Sequence, residues 1–124
     1  MKQDSAAAAY KSARFESAPP LKLVQLMYEG ALRFLEQAEV ALATSEVGRF
    51  QERCLRAQSV IAELRVSLDP EQAPELAEQL HGLYLFAEAE IYAALAAESS
   101  AGLARVRGVL TTLLDGWKRL EVAP

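Results

Sequence analysis

Pro19-Pro20-Leu21-Lys22-Leu23-Val24-Gln25-Leu26-Met27-Tyr28-Glu29-Gly30-Ala31-Leu32-Arg33-Phe34-Leu35, residues 19–35, is the stretch on which the reading of the fold turns. Leu23, Val24, Met27, Tyr28, Ala31, Phe34 and Leu35 recur at intervals of three and four, and Ala38 and Leu42 continue the series. That spacing is one face of a helix with 3.6 residues per turn. A proline in the first turn fits, because the amide there has no helical partner to lose, and Ser17 or Ala18 then stands near the cap.

The remaining prolines stand at 70, 74 and 124, so 21–69 and 75–123 contain no helix breaker of that kind. Thr44-Ser45-Glu46-Val47-Gly48 is polar and glycine-containing and reads as a tight turn. Asp69-Pro70-Glu71-Gln72-Ala73-Pro74 is a second break, and Glu98-Ser99-Ser100 a third, with Ser99 or Ser100 as a cap for the last segment. Four long helices are expected, at roughly 20–43, 48–68, 75–98 and 101–121, with a shorter one near 4–15 capped by Asp4 or Ser5. At a rise of ~1.5 Å per residue the long helices run ~30–36 Å, and short connections make neighbours antiparallel. The expected fold is all-α, an antiparallel up-down four-helix bundle with an additional short N-terminal helix. It is expected to form a single domain over 1–124, with an N-terminal segment at 1–16 and the bundle at 17–121.

Composition agrees. Alanine occurs 23 times and leucine 19 times in 124 residues, and aromatics are only 7%. Both abundant residues favour helix over strand, so an all-β fold is excluded. A hydrophobic share of 52% against 24% charged residues excludes a disordered chain. The net charge of −4 removes the broad basic footprint of a nucleic-acid binder. Cys54 is the one cysteine and cannot form an internal disulfide. Asp4 and Ser5 stand where a signal peptide needs an apolar run, and no apolar stretch approaches the ~20 residues of a membrane span. A cytoplasmic protein without membrane insertion is the expectation.

Each later helix has a core stripe of its own. The second gives Phe50, Cys54, Ala57, Val60, Ile61, Leu64 and Leu68, and the third Leu76, Leu80, Leu83, Tyr84, Ala87, Ile91 and Leu95. The last gives Leu103, Val106, Leu110, Leu113, Leu114 and Trp117, with Arg105, Arg107, Lys118 and Arg119 as a solvated opposite face. Apolar residues are left over. On the third helix Leu85, Phe86, Ala89, Tyr92, Ala93 and Ala96 lie opposite the stripe, on the second Leu55, Ala62 and Val66, and on the first Leu26 and Val40. A helix apolar nearly all round is buried on both sides, and a four-helix bundle offers it one. Either the N-terminal segment, with Tyr10 and Phe15, folds over this surface, or it is a groove for another chain.

Catalytic chemistry is not expected. Glu78 and His81 have the Glu-x-x-His spacing of di-iron bundles, but such sites need two of these motifs and the chain has one histidine, off the core stripe. Cys54 sits mid-stripe as a small apolar side chain with no base at hand. The six glycines are isolated, so no phosphate-cradling loop forms. Glu36 with Glu39, and Glu88 with Glu90, read as solvated carboxylates. No catalytic residue, metal ligand or cofactor is assigned.

The chain resembles a known family, the flagellin export chaperones of the FliS type. Ser17-Ala18-Pro19-Pro20 followed by Leu23 through Leu35 is similar to the family's T-A-S-P-x-x-L-V-x-M-L-Y-D-G-A-I-R-x-L. Arg56-Ala57-Gln58-Ser59-Val60-Ile61-Ala62-Glu63-Leu64 through Ser67-Leu68-Asp69 resembles K-A-x-x-I-I-x-E-L-x-x-S-L-D, and Glu75-Leu76-Ala77-Glu78-Gln79-Leu80 through Leu83-Tyr84 resembles E-L-A-x-N-L-x-x-L-Y. Trp117 stands at the family's late tryptophan and Tyr10 at its upstream tyrosine. The match runs over nearly the whole chain, with two departures: Ala73-Pro74 replaces a Gly-Gly before the third helix, and Ser99-Ser100 an Asn-Asp before the last.

The resemblance implies a cytoplasmic export chaperone. Such a protein binds the disordered C-terminal segment of flagellin, prevents premature polymerisation and delivers the subunit to the flagellar type III export gate. The tail folds into short helices on the bundle, and the chaperone's N-terminal segment occupies part of the groove when no client is present. The expected partner-binding residues are Leu26, Leu55, Ala62, Val66, Leu85, Phe86, Ala89, Tyr92 and Ala96 from helical spacing, with Tyr10 carried over from the family. The partners expected are flagellin and an export-gate component, with no nucleic acid, for a monomer or weak dimer. The alternative is a non-catalytic regulatory bundle that homodimerises through the same apolar face, and a metal-holding bundle is a more distant one.

Overall fold

A computed structural model describes residues 20–122. Four helices occupy almost all of that span: α1 (Pro20–Ala43), α2 (Val47–Val66), α3 (Pro74–Ala97) and α4 (Ala101–Val122). No strand occurs among the described residues. The expected helix near 4–15, Tyr10 and the Ser17/Ala18 cap lie outside them.

The turns are made by capping chemistry. At the end of α1 the Ser45 N–H donates to the Leu42 carbonyl at 3.0 Å and the Glu46 N–H to the Ala41 carbonyl at 2.7 Å. This is the pair of bonds that closes a helix through one left-handed residue, and that residue is Ser45 (φ 63°). Gly48, which the sequence places in the turn, lies inside α2 instead. Glu98, with φ 48° and ψ 54°, is the left-handed residue that ends α3, its own N–H and the Ser99 N–H both donating to the Ala94 carbonyl, the latter at 3.1 Å. The Ser99 hydroxyl then accepts from the Ala101 N–H at 3.3 Å, at the start of α4. Between α2 and α3 the Asp69 carboxylate accepts from the Glu71 N–H at 3.0 Å, an Asx turn that delivers the chain to Pro74.

The helices form a closed square. α1 packs on α2, α2 on α3, α3 on α4, and α4 returns to α1, while the diagonal pairs keep their backbones apart. Large side chains fill the diagonals. Tyr28, Phe50, Leu35, Ile61, Ile91, Leu103 and Leu110 are the bulkiest apolar side chains with essentially no exposure. Tyr28 of α1 meets Tyr84 of α3 across the middle, hydroxyl to hydroxyl at 2.6 Å, and Trp117 of α4 sets its ring edge-on to Tyr28 at a centroid distance of 6.4 Å. Each buried phenol oxygen thus has a hydrogen-bond partner.

Ion pairs bind the seams. Arg65 of α2 grips Glu88 of α3 with Nε–Oε2 at 2.6 Å, and Arg105 of α4 reaches Glu90 of α3 at 3.0 Å. Arg107 of α4 donates twice to Glu39 of α1, at 2.6 and 3.0 Å. The basic face of α4 and the glutamates of α1 and α3 are therefore more than solvated decoration. Their spacing carries them around to neighbouring helices, which periodicity on a single helix does not reveal. At the α1–α2 seam the Arg53 guanidinium lies over the Phe34 ring, 5.8 Å from its centroid.

The expected stripes account for most of the core, with one outright correction. Leu76, assigned to the core of α3, is 46% exposed because it stands in the first turn of that helix, at the open end of the bundle. Ala41, Ala77 and Ala94 are buried though absent from the stripes, and Gln25 and Gln58 are buried polar residues.

Candidate partner-binding surface

On α3 the core stripe consists of Ala77, Leu80, Tyr84, Ala87, Ile91 and Ala94, all buried. Leu85, Ala89, Tyr92 and Ala96 recur at steps of four, three and four, forming a second apolar line along the outside of the bundle. Tyr92 is 61% exposed, which no requirement of this bundle's core explains. On α2, the neighbour of α3, Leu55 and Val66 are 52% and 59% exposed, and Ala62 is half-buried. The Arg65–Glu88 pair stands in the seam between these two helices, its bidentate hydrogen bonds fixing one against the other. The carboxylate beside it raises the Arg65 guanidinium above its ordinary pKa.

The expected residues do not all meet in one groove. Phe86 is about 100° around the helix from Leu85, at one residue's rotation. It lines a separate hollow between α3 and α4 with Leu83, Val109 and Leu113, floored by Gly108. Leu55 also borders a hollow that turns toward α1, with Phe34 and Val60. Leu26 is half-buried on α1, which lies diagonally across the bundle from α3, so it stands apart from the outer line of α3. The surface is a set of apolar patches around the bundle. The sequence pattern misplaces Leu76 and passes over Leu120, which is exposed near the end of α4. The signal for Leu120 is nonetheless present in α4, as one more leucine than its inward stripe uses.

Reactive chemistry is sparse among the described residues. Glu78 and His81 are both exposed, and no group of three or more His, Cys, Asp or Glu side chains is placed to hold a metal. Cys54 is fully buried, and burial pushes its thiol up to about 11, so the nucleophilic thiolate is suppressed. No helix among the described residues is long and apolar enough to cross a membrane.

By fold the chain is an antiparallel four-helix bundle. It superposes on a crystal structure of a bacterial flagellar chaperone with a TM-score of 0.80 at 22% identity, covering 93% of this chain and 94% of that one. The chain belongs to the flagellar protein FliS family, whose profile matches residues 2–124. It is 28% identical over 111 residues to the flagellar secretion chaperone FliS of Bacillus subtilis, covering 90% of this chain and 82% of that protein. With the flagellar secretion chaperone FliSB of Pseudomonas aeruginosa it shares 30% identity over 105 residues, covering 85% and 83%.

Proposed function

We propose that this protein is a non-catalytic cytoplasmic export chaperone for flagellin. It binds the disordered C-terminal segment of its client, keeps the subunit from polymerising early and hands it to the flagellar type III export apparatus. The observation that carries this reading is the outer apolar line Leu85, Ala89, Tyr92 and Ala96 on α3, beside Leu55, Ala62 and Val66 on α2. A disordered segment that folds as it binds can lay alternate turns of an amphipathic helix on such a line. The separate hollow at Phe86 suits a client that wraps several faces of the bundle rather than filling one cleft. Tyr10, outside the described residues, is proposed to contribute through the N-terminal segment.

Titration calorimetry with the last ~40 residues of the organism's flagellin tests the proposal, because coupled folding predicts a large negative heat-capacity change and unfavourable entropy. Tyr92→Asp is expected to weaken binding by about tenfold or more, roughly 1.4 kcal/mol, with helicity unchanged. Absence of binding, or a heat-capacity change near zero, overturns it. Sedimentation separates this from a dimer that buries the same face, since the dimer predicts concentration-dependent association without any client.

A further inference from the structure

Among the described residues, nothing fills the end of the bundle at the α2–α3 turn. Val24 of α1, Leu64 of α2, Leu68 just beyond it, Leu80 and Tyr84 of α3, and Trp117 of α4 line a hollow of about 220 Å³ that is open to solvent there. All four helices contribute to it, so it is a layer of the core that no described residue occupies. Leu76 shows the consequence: it has the register of a core residue, lines this cavity and remains 46% exposed. Apolar cavities of ~150 Å³ accept benzene, so one phenyl ring or leucine side chain fits here.

The mouth of the cavity is acidic. Asp69 lines it, and Glu71 and Glu75 stand exposed in the turn and the first turn of α3. None of these three carboxylates has an ion pair among the described residues. Lys22 at the start of α1 and Arg119 near the end of α4 are the exposed cations at this end without an ion pair among the described residues, Lys118 being paired with Glu29, which leaves three unpaired negative charges against two. A negative rim on an apolar socket selects a positive flank on an apolar anchor.

We propose that this open end is a docking site for a partner polypeptide that presents one large apolar side chain, aromatic or leucine, between basic residues. The anchor enters against Tyr84 and Trp117, completes the unfilled layer and covers Leu76, while its basic neighbours lie over Asp69, Glu71 and Glu75. The site is separate from the α2–α3 outer face, since neither Leu85 nor Tyr92 lines it, and the inference does not depend on flagellin being the client.

Trp117 is the only tryptophan in the chain, so its fluorescence reports on the cavity directly. The probes are three capped pentapeptides with the cores Lys-Phe-Lys, Glu-Phe-Glu and Lys-Ala-Lys, titrated into the full chain. The Lys-Phe-Lys peptide is expected to shift Trp117 emission saturably, and the other two to bind at least about tenfold more weakly. Raising salt to about 0.5 M should weaken the Lys-Phe-Lys peptide several-fold, because the rim charges act across exposed solvent. The double variant Glu71→Lys/Glu75→Lys is expected to weaken it about fivefold or more while the unfolding midpoint holds, and Tyr92→Asp to leave it unchanged. Loss of the shift in Tyr92→Asp would place the peptide on the outer face and overturn the proposal. So would an equal response to the Glu-flanked peptide, or no saturable shift up to ~10 mM. Tighter binding in Tyr10→Ser/Phe15→Ser would mean that the chain's own aromatics hold the socket, which also overturns it.

Discussion

At the scale of single residues, the paired hydroxyls of Tyr28 and Tyr84 are the sharpest test of the packing. One hydroxyl donates to the other at 2.6 Å inside the core, and burial raises both phenols above their ordinary pKa. Tyr28→Phe leaves the Tyr84 hydroxyl stranded and is expected to cost about 1–3 kcal/mol in urea denaturation. Adding Tyr84→Phe should recover part of that loss, since the double variant strands nothing. Cys54 gives a second test. Its thiol, raised from the usual 9.0 to about 11, stays protonated in the folded chain while the unfolded chain ionises first. Its contribution to stability is therefore whole below pH 9 and is lost as pH rises toward 11. Ellman's reagent at neutral pH is expected to react with it only at the rate of unfolding. Its burial is legible from its place between Phe50 and Ala57 on the helical stripe, whereas the meeting of two tyrosines 56 residues apart is not.

At the scale of helices, the ends hold the testable strain. Ser45 and Glu98 both take left-handed backbone angles, a conformation that costs a residue with a Cβ about 1–2 kcal/mol relative to the right-handed form. Ser45→Gly and Glu98→Gly are each expected to stabilise the bundle by roughly 0.5–1 kcal/mol, read as an increase in the denaturation midpoint, after the greater freedom of glycine in the unfolded chain is counted. Gly102 differs. A Cβ there would run into the Glu90 carboxylate, which Arg105 holds over the first turn of α4, so Gly102→Ala should loosen that ion pair. The elements themselves were legible because prolines and polar clusters bracket long runs of three-four spacing, and observed boundaries fall within two residues of the expected ones. Which serine or glutamate turns left-handed was not, because a helix end is closed by backbone bonds that most side chains permit.

At the scale of the whole molecule, the order of packing around the square decides what is exposed. The backbone of α3 packs beside those of α2 and α4, so among the described residues nothing covers the outer side of this apolar helix, and the sequence reveals this as a stripe too wide for one neighbour on each side. The division of that apolar surface into separate patches was not legible, since it depends on how the helices rotate against one another. Leu76 marks the same limit: periodicity gives a residue's face but says nothing of whether a bundle's end is closed above it. The Arg107–Glu39 pair tests how firmly the square closes between α4 and α1. Because it is partly solvent-exposed, Arg107→Ala should cost only about 0.5–1 kcal/mol, and less in high salt, as thermal denaturation would show.

Since α4 returns to lie antiparallel against α1, the last turn of one helix stands beside the first turn of the other, with Trp117 against Tyr28. The four helices can therefore be read from a different starting point. A circular permutant opened at Ser45, its residues 122 and 20 joined by a brief Gly/Ser tether, would begin with α2 and finish with α1 yet assemble the same square. Such a rearranged chain should match the parent in helical circular dichroism, and it would present the bundle's surface without the segment ahead of Pro20.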